Sequence, residues 1–302
     1  APALRLAIQE ARRDVTGGLS LMEAFAKHPR IFSKLYVSMI KAAEVGGILD
    51  QILDRLATFL EKEQEVVGRI KGAMVYACCV LAFALLMVNA LFLFVLPTFK
   101  EIFASTNSQL PFITSALFAI SAGMRQFWYL LIAFPIALVF AVKKYYATER
   151  GRWNIDRLKL KLPVIGELVQ KMAISRFSRT FGTLVNSGVP VLRALEIVAE
   201  TAGNVVIQKA VTDARSSVRE GQKISAPLEE SGQFPSMVTQ MIDIGEETGR
   251  MSEMLMKVSQ FYDNEVDVAV KALTSMIEPA LIILLGGIVG FIVASIMVPM
   301  FT

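Results

Sequence analysis

Shifted by 202 positions, much of this chain falls on itself. Glu44 lands on Glu246, Gly47 on Gly249, Leu53 on Leu255, Phe59 on Phe261, Glu63 on Glu265, Met74 on Met276 and Pro97 on Pro299, with no gap after the first pair. Upstream, one single-residue slip brings EARRDVTGG (Glu10–Gly18) onto DARSSVREG (Asp213–Gly221). Two stretches with one apolar pattern bury the same faces, so the chain is expected to fold as an internal duplication. The second copy starts earlier, with FSRTFGTLVNSGVPVLRALEIVAETAGN (Phe177–Asn204), and nothing before Ala1 can match it. The first copy is therefore expected to lack its natural start, and no targeting signal can be judged.

Each copy ends in a long uncharged run: MVYACCVLAFALLMVNALFLFVL (Met74–Leu96) and ALIILLGGIVGFIVASIMV (Ala280–Val298). Both exceed the roughly 18 apolar residues that mark a spanning helix. With 54% hydrophobic and 19% charged residues, the chain is too apolar for an ordinary soluble domain. A third run, FWYLLIAFPIALVFAV (Phe127–Val142), is short, and its uncharged neighbour FITSALFAISAGM is expected to lengthen it on the outer side. The chain must return between two parallel outward spans, and this middle segment does so.

These features predict an all-α polytopic membrane protein with two repeated cytoplasmic helical-bundle domains and three transmembrane helices. The expected divisions are a first cytoplasmic domain at 1–71, span one at 72–97 and a periplasmic connection at 98–126. Span two follows at 127–146, the second cytoplasmic domain at 147–271 and span three at 272–302, with its end outside. Orientation follows from charge: Arg69, Lys71 and the run KKYYATERGRWNIDRLKLK (Lys143–Lys161) flank the inner ends, against only Lys100 and Arg125 outside. The net charge of +4 thus marks topology and predicts no nucleic-acid partner. Trp128 and Tyr129, and Tyr145 and Tyr146, are expected as interfacial anchors.

Between spans the apolar spacing is helical. Leu49, Ile52, Leu53, Leu56, Phe59 and Leu60 mark one amphipathic face, and Met251, Met254, Leu255, Val258, Phe261 and Tyr262 its counterpart, each helix continuing into a span. Other helices are expected at 3–16, 21–27, 32–43, 171–185, 191–201, 205–220, 225–230 and 236–244. Gly188 and Pro190 make a corner, and LPVIGELV (Leu162–Val169) opens the second domain through a turn. The stretch GEETG (Gly245–Gly249) is expected between two helices, with Glu246 and Glu247 in the first turn of the following one, near its positive end. These carboxylates, and Glu44 with Gly47 in the first copy, are read as structural or partner-interface residues, the alternative being a cation site or partner contact. An acid/base pair does not fit, since the first copy offers Glu44 alone.

Chemistry is otherwise sparse. No phosphate-binding GxxxxGK[ST] loop occurs, so work on this chain needs an outside motor. His28 is the single histidine, read as a surface residue before Pro29, which removes His-based metal and triad chemistry. Cys78 and Cys79 are adjacent on a span and read as apolar filler. No cofactor, metal or catalytic residue is expected, and the chain is read as a non-enzyme. The spans carry no charge, against an ion path of the usual transporter kind. Gly286, Gly290 and Ala294 form a small-residue stripe suited to helix packing, Glu278 and Pro279 are read as opening span three, and Pro97 and Pro299 as closing spans one and three.

These residues together resemble the inner-membrane platform proteins of type IV pilus and type II secretion machines, the PilC and GspF family. The matching pieces are LP..G at Leu162–Gly166, SGVPVLRAL at Ser187–Leu195, GEETG, IEPALI at Ile277–Ile282, VPMF at Val298–Phe301 and LPFIT at Leu110–Thr114. One departure is Ala43, where the family pattern favours glycine. The resemblance implies a non-enzymatic platform in the bacterial inner membrane that couples a hexameric cytoplasmic assembly ATPase to insertion of pilin or pseudopilin helices into a filament. It also implies inner-membrane alignment proteins as partners and a homodimer or small homo-oligomer. The competing reading is a transporter or channel built on parallel repeats.

Overall fold

A computed structural model describes residues 2–99 and 112–297, and these contain helices and turns but no β-strand. In chain order the helices are α1 (Pro2–Thr16), α2 (Leu21–Ala26), α3 (Lys34–Gly46) and α4 (Leu49–Ala90), which passes through a π-helical turn at Leu91–Val95. They continue as α5 (Phe112–Gln126), α6 (Trp128–Tyr146), α7 (Glu149–Lys161), α8 (Ile165–Asn186), α9 (Val191–Thr201), α10 (Val205–Arg219), α11 (Ser225–Glu230), α12 (Ser236–Thr248) and α13 (Met251–Met297). The chain divides into two compact units, one of Ala1–Gly68 with Arg152–Ala269, the other of Arg69–Gly151 with Val270–Thr302.

The first unit has one continuous core. Met39 and Ile40 of α3, Ile52 and Leu56 of α4, Phe177 and Phe181 of α8, Leu195 of α9, Ile207 of α10 and Leu255 of α13 are all almost wholly buried. The expected spacing explains it: on α4 and α13 the buried residues recur every three or four positions, so each helix offers one stripe. Phe177 and Phe181, one turn apart, pack with tilted rings 5.7 Å between centroids. Helix starts carry side-chain caps where polar residues precede the apolar run. Ser33 accepts from the Tyr36 N–H, and Asn204 from Val206 and Ile207. Gly188 at φ 77° ends α8 and Pro190 precedes α9, the corner expected from the sequence.

The contact between α8 and α13 is close and partly polar. A Cβ on Gly182 would sit 3.1 Å from the Leu255 Cβ, so the helices meet at a small residue. Beside it the buried Arg179 donates to Asp263 and, at 3.3 Å, to the Ser259 hydroxyl; Ser175 also donates to Asp263. Lys171 pairs with Glu265 at 2.9 Å. A buried guanidinium needs such a partner set, because an unpaired buried charge is costly.

In the second unit α5 lies against the ends of two long helices. Leu117 and Phe118 pack with Leu96 and Ile292. On the same face the Thr114 hydroxyl donates to the Ser295 carbonyl at 2.7 Å, and Ser121 donates to the Phe92 carbonyl inside the π-helical turn. That turn ends two residues before Pro97, which has no N–H to offer a carbonyl one turn back. The widened turn shifts the ladder, and Ser121 satisfies a carbonyl there. The segment FITSALFAISAGM is thus a separate helix, broken from α6 at Phe127, and does not lengthen α6 as expected.

Several boundaries differ from those expected. Helix α7 occupies the basic run after α6, for which no helix limits were given, and α8 begins at Ile165 and not at 171. Pro279 lies inside the continuous α13, so it opens no helix. His28 is largely covered, its Nε2 3.5 Å from Glu10. Cys78 and Cys79 are unpaired and exposed.

Candidate functional site

The duplicated glutamates lie at the carboxyl ends of α3 and α12, two residues before each helix stops. Both helices end in a left-handed glycine, Gly47 at φ 66° and Gly249 at φ 69°, a conformation that costs side-chain-bearing residues about 1–2 kcal/mol. GEETG is therefore a helix end, and Glu246 and Glu247 do not begin the next helix. The apolar face of α12 carries the pattern through Ile242 and Gly245, which keeps the helix intact to Thr248.

From there each glutamate reaches across to the start of a short helix. Glu44 accepts the N–H groups of Leu21 and Met22, the second at 3.2 Å. Glu246 accepts the N–H of Ile224 at 2.9 Å. Leu21 and Ile224 stand at equivalent positions under the one-residue slip, three residues after Gly18 and Gly221. Glu44 thus satisfies two first-turn donors of α2 that the helix cannot pair internally, and Glu246 the N–H of Ile224, the residue that precedes α11. Sequence distance hid this partner, since the capping group lies 23 and 22 residues downstream.

Around this shared contact the corners differ. In the second, Lys223 bridges Asp243 at 3.0 Å and Glu247 at 2.6 Å, and Ser225 donates to Asp243 at 3.1 Å. The hydrogen bonds that Lys223 donates to Glu247 and then to Asp243 raise its ammonium above the usual lysine range. Lys223, followed by Ser225, holds Asp243 below the usual carboxylate range. In the first, Ser20 and Glu23 form a reciprocal capping box on α2, and Val45, in the place of Glu247, is 84% exposed. The pattern Ser20-x-x-Glu23 was a readable signal; nothing local flagged Lys223.

Gly245 is where α12 meets α13: a Cβ there would lie 2.9 Å from the Met251 Cα. Its counterpart Ala43 is wholly buried without disturbing the Glu44 contact, so the departure from the family pattern leaves the capping intact.

The remaining singled-out residues do not join this site. Gly188 and Pro190 form the α8–α9 corner, and Glu278 and Pro279 lie within α13. Pro97 follows the π-helical turn. Gly286, Gly290 and Ala294 lie along α13, and a Cβ on either glycine would meet no described atom within 4 Å. Pro299 and the rest of VPMF, with residues 100–111, lie outside the described residues.

Among the described residues two helices are long and apolar enough to cross a membrane, Leu49–Phe99 and Met251–Ser295. Fold and site together define an all-α membrane-type protein whose paired glutamates are built into helix ends. Comparison with known proteins narrows this. The family described as "Type II secretion system (T2SS), protein F" matches two separate stretches, residues 1–97 and 177–299, well over half of the chain. The chain belongs to this family. It is similar to "Type IV pilus assembly protein PilC" of Thermus thermophilus, 46% identical over 97% of this chain and 72% of that protein. The Myxococcus xanthus protein of the same name is 40% identical over 100% and 72%. "Type II secretion system protein F" of Vibrio cholerae is 30% identical over 99% and 73%.

Proposed function

We propose that this chain is the inner-membrane platform of a type IV pilus or type II secretion machine, and that it passes motion from a hexameric cytoplasmic ATPase to pilin or pseudopilin helices. The observation that carries this reading is the continuity of α4 and α13. Each runs unbroken from an amphipathic, core-forming segment into an uncharged one, over 42 and 47 residues. At 1.5 Å per residue these are rods of roughly 60–70 Å. A push on the helical domain is delivered along such a rod without a loop to absorb it.

In this reading α6 is a third span returning the chain inward, and both helical domains face the cytoplasm as repeats of one design. The names of the relatives support assembly with pilin or secretion components, and the polar contact between α8 and α13 supports a rigid grip on the second rod. Catalysis has no place in the scheme; alignment proteins and a second copy of the chain complete the partner set. Insertion of flexible glycines after Lys71 and after Lys271 tests it. Filament assembly is expected to be lost while membrane insertion and ATPase binding persist; normal filaments would contradict the rod mechanism.

A further inference from the structure

Between α7 and α8 the backbone makes an unusual turn. Val164 sits at φ 67° and ψ −53°, and the Ile165 N–H donates to the Pro163 carbonyl at 2.7 Å. This is a γ-turn of the rare strained hand. Val164 is the one non-glycine residue with positive φ among the described residues, and for a β-branched side chain that is a true outlier. Strain of this kind persists where surrounding structure imposes it and often marks a working surface. The turn is held close here: a Cβ on Gly166 would stand 2.4 Å from the Leu160 carbonyl, so the chain doubles back tightly on α7.

The turn displays apolar side chains. Leu162, Val164 and Ile165 are 39%, 47% and 45% exposed, and Leu158, one turn earlier on α7, is 58% exposed. The Leu162 N–H still bonds to the Leu158 carbonyl at 3.1 Å, which stacks those two on one face. Arg157 and Lys161 flank them, exposed and without an ion pair among the described residues. From Arg157 to Gln170 the sequence holds one carboxylate, Glu167. Large apolar side chains ringed by unpaired cations suit an interface of acyl chains and anionic headgroups.

The tip is also tethered near a candidate span. Only Ala147 and Thr148 separate α6 from α7, and a Cβ on Gly151 would lie 1.9 Å from the Tyr145 carbonyl, so this junction is tight. Thirteen helical residues in α7 extend about 20 Å, which limits how far the tip can stand from the end of α6.

We propose that the α7–α8 tip inserts into the surface of an anionic membrane leaflet, with Leu158, Leu162, Val164 and Ile165 at the acyl boundary and Arg157 and Lys161 on lipid phosphates. The proposal rests on α6 crossing the bilayer. It anchors the second helical domain to the membrane at a point separate from the rods.

The test uses the full chain with Cys78→Ala and Cys79→Ala, reconstituted in phosphatidylcholine vesicles with or without phosphatidylglycerol. An environment-sensitive fluorophore is placed at Val164→Cys or Leu158→Cys, with Phe140→Cys on α6 and Asp213→Cys on α10 as references. Spin-labelled lipids are expected to quench positions 158, 164 and 140 but not 213. Adding Arg157→Gln with Lys161→Gln is expected to release positions 158 and 164 alone; at about fivefold in surface partitioning per cation, the two removed charges lower the tip's partitioning by about 25-fold. Quenching at 140 but at neither 158 nor 164 overturns the tip. A blue-shifted signal at 158 and 164 that persists in detergent and ignores lipid charge means protein covers the tip, and also overturns it. Absence of quenching at 140 instead overturns the span on which the proposal stands.

Discussion

Glu44 and Glu246 perform one task in two differently built corners. Each catches backbone N–H groups at the start of a short helix and is followed by a left-handed glycine. The first corner reinforces the contact locally through Ser20 and Glu23, whereas the second adds the Lys223, Asp243 and Glu247 cluster and a tight meeting of Gly245 with α13. What both retain is the carboxylate-to-helix cap and the αL glycine. The surrounding charges are free to differ because exposed ion pairs are weak.

The comparison predicts unequal responses, and the largest falls on Gly245. Gly245→Ala is expected to destabilise by about 1–3 kcal/mol, because the new methyl meets backbone, while Ala43→Gly in the first corner costs about 1 kcal/mol from helix propensity. Thermal melts of the two variants in detergent check the asymmetry, and equal shifts would break it. Next, Gly47→Ala and Gly249→Ala should each cost about 1–2 kcal/mol, the same in both corners. Their hydrogen-exchange protection is expected to fall at the ends of α3 and α12 respectively. Glu44→Ala should then cost about 1 kcal/mol and exceed Glu246→Ala, since Glu44 accepts two N–H groups and Glu246 one.

The smallest effect belongs to Lys223→Met, with no equivalent in the first corner, where Ser20 stands in its place. Asp243 titrates lower when folded, so its contribution is complete above about pH 4, the unfolded value, and is lost as pH falls through the lowered folded one. Lys223 titrates higher when folded, so its contribution is complete below about pH 10 and is lost as pH rises through the raised value. The Tm penalty of Lys223→Met should thus be steady between about pH 5 and 9, shrink below pH 4, and fade in high salt. A penalty that grows on acidification would contradict the ion cluster.

Helical content, the α9 and α11 limits, the Gly188 corner and both long rods were legible because apolar spacing and glycine or proline punctuation are local signals. The corner was misjudged for a physical reason. Two acids before a glycine read as the start of a helix by the dipole rule, yet the same acids can close a helix when their side chains reach the start of another. That partner, Ile224, is fixed only by tertiary packing. Helix α7 was hidden by its charge, which was assigned to topology; the turn in LPVIGELV was legible from its proline and glycine, but the positive φ of Val164 was not, because it depends on how closely the chain passes Leu160 at Gly166.

The most direct test of the platform account is the sidedness of the two helical domains. Single cysteines at Glu23, Glu229 and Ser108, in a Cys78→Ala and Cys79→Ala background, are probed with an impermeant maleimide on spheroplasts with intact inner membranes. The account predicts labelling at Ser108 in intact spheroplasts, and at Glu23 and Glu229 only after permeabilisation. Labelling of Glu23 and Glu229 from opposite sides of the membrane would contradict it.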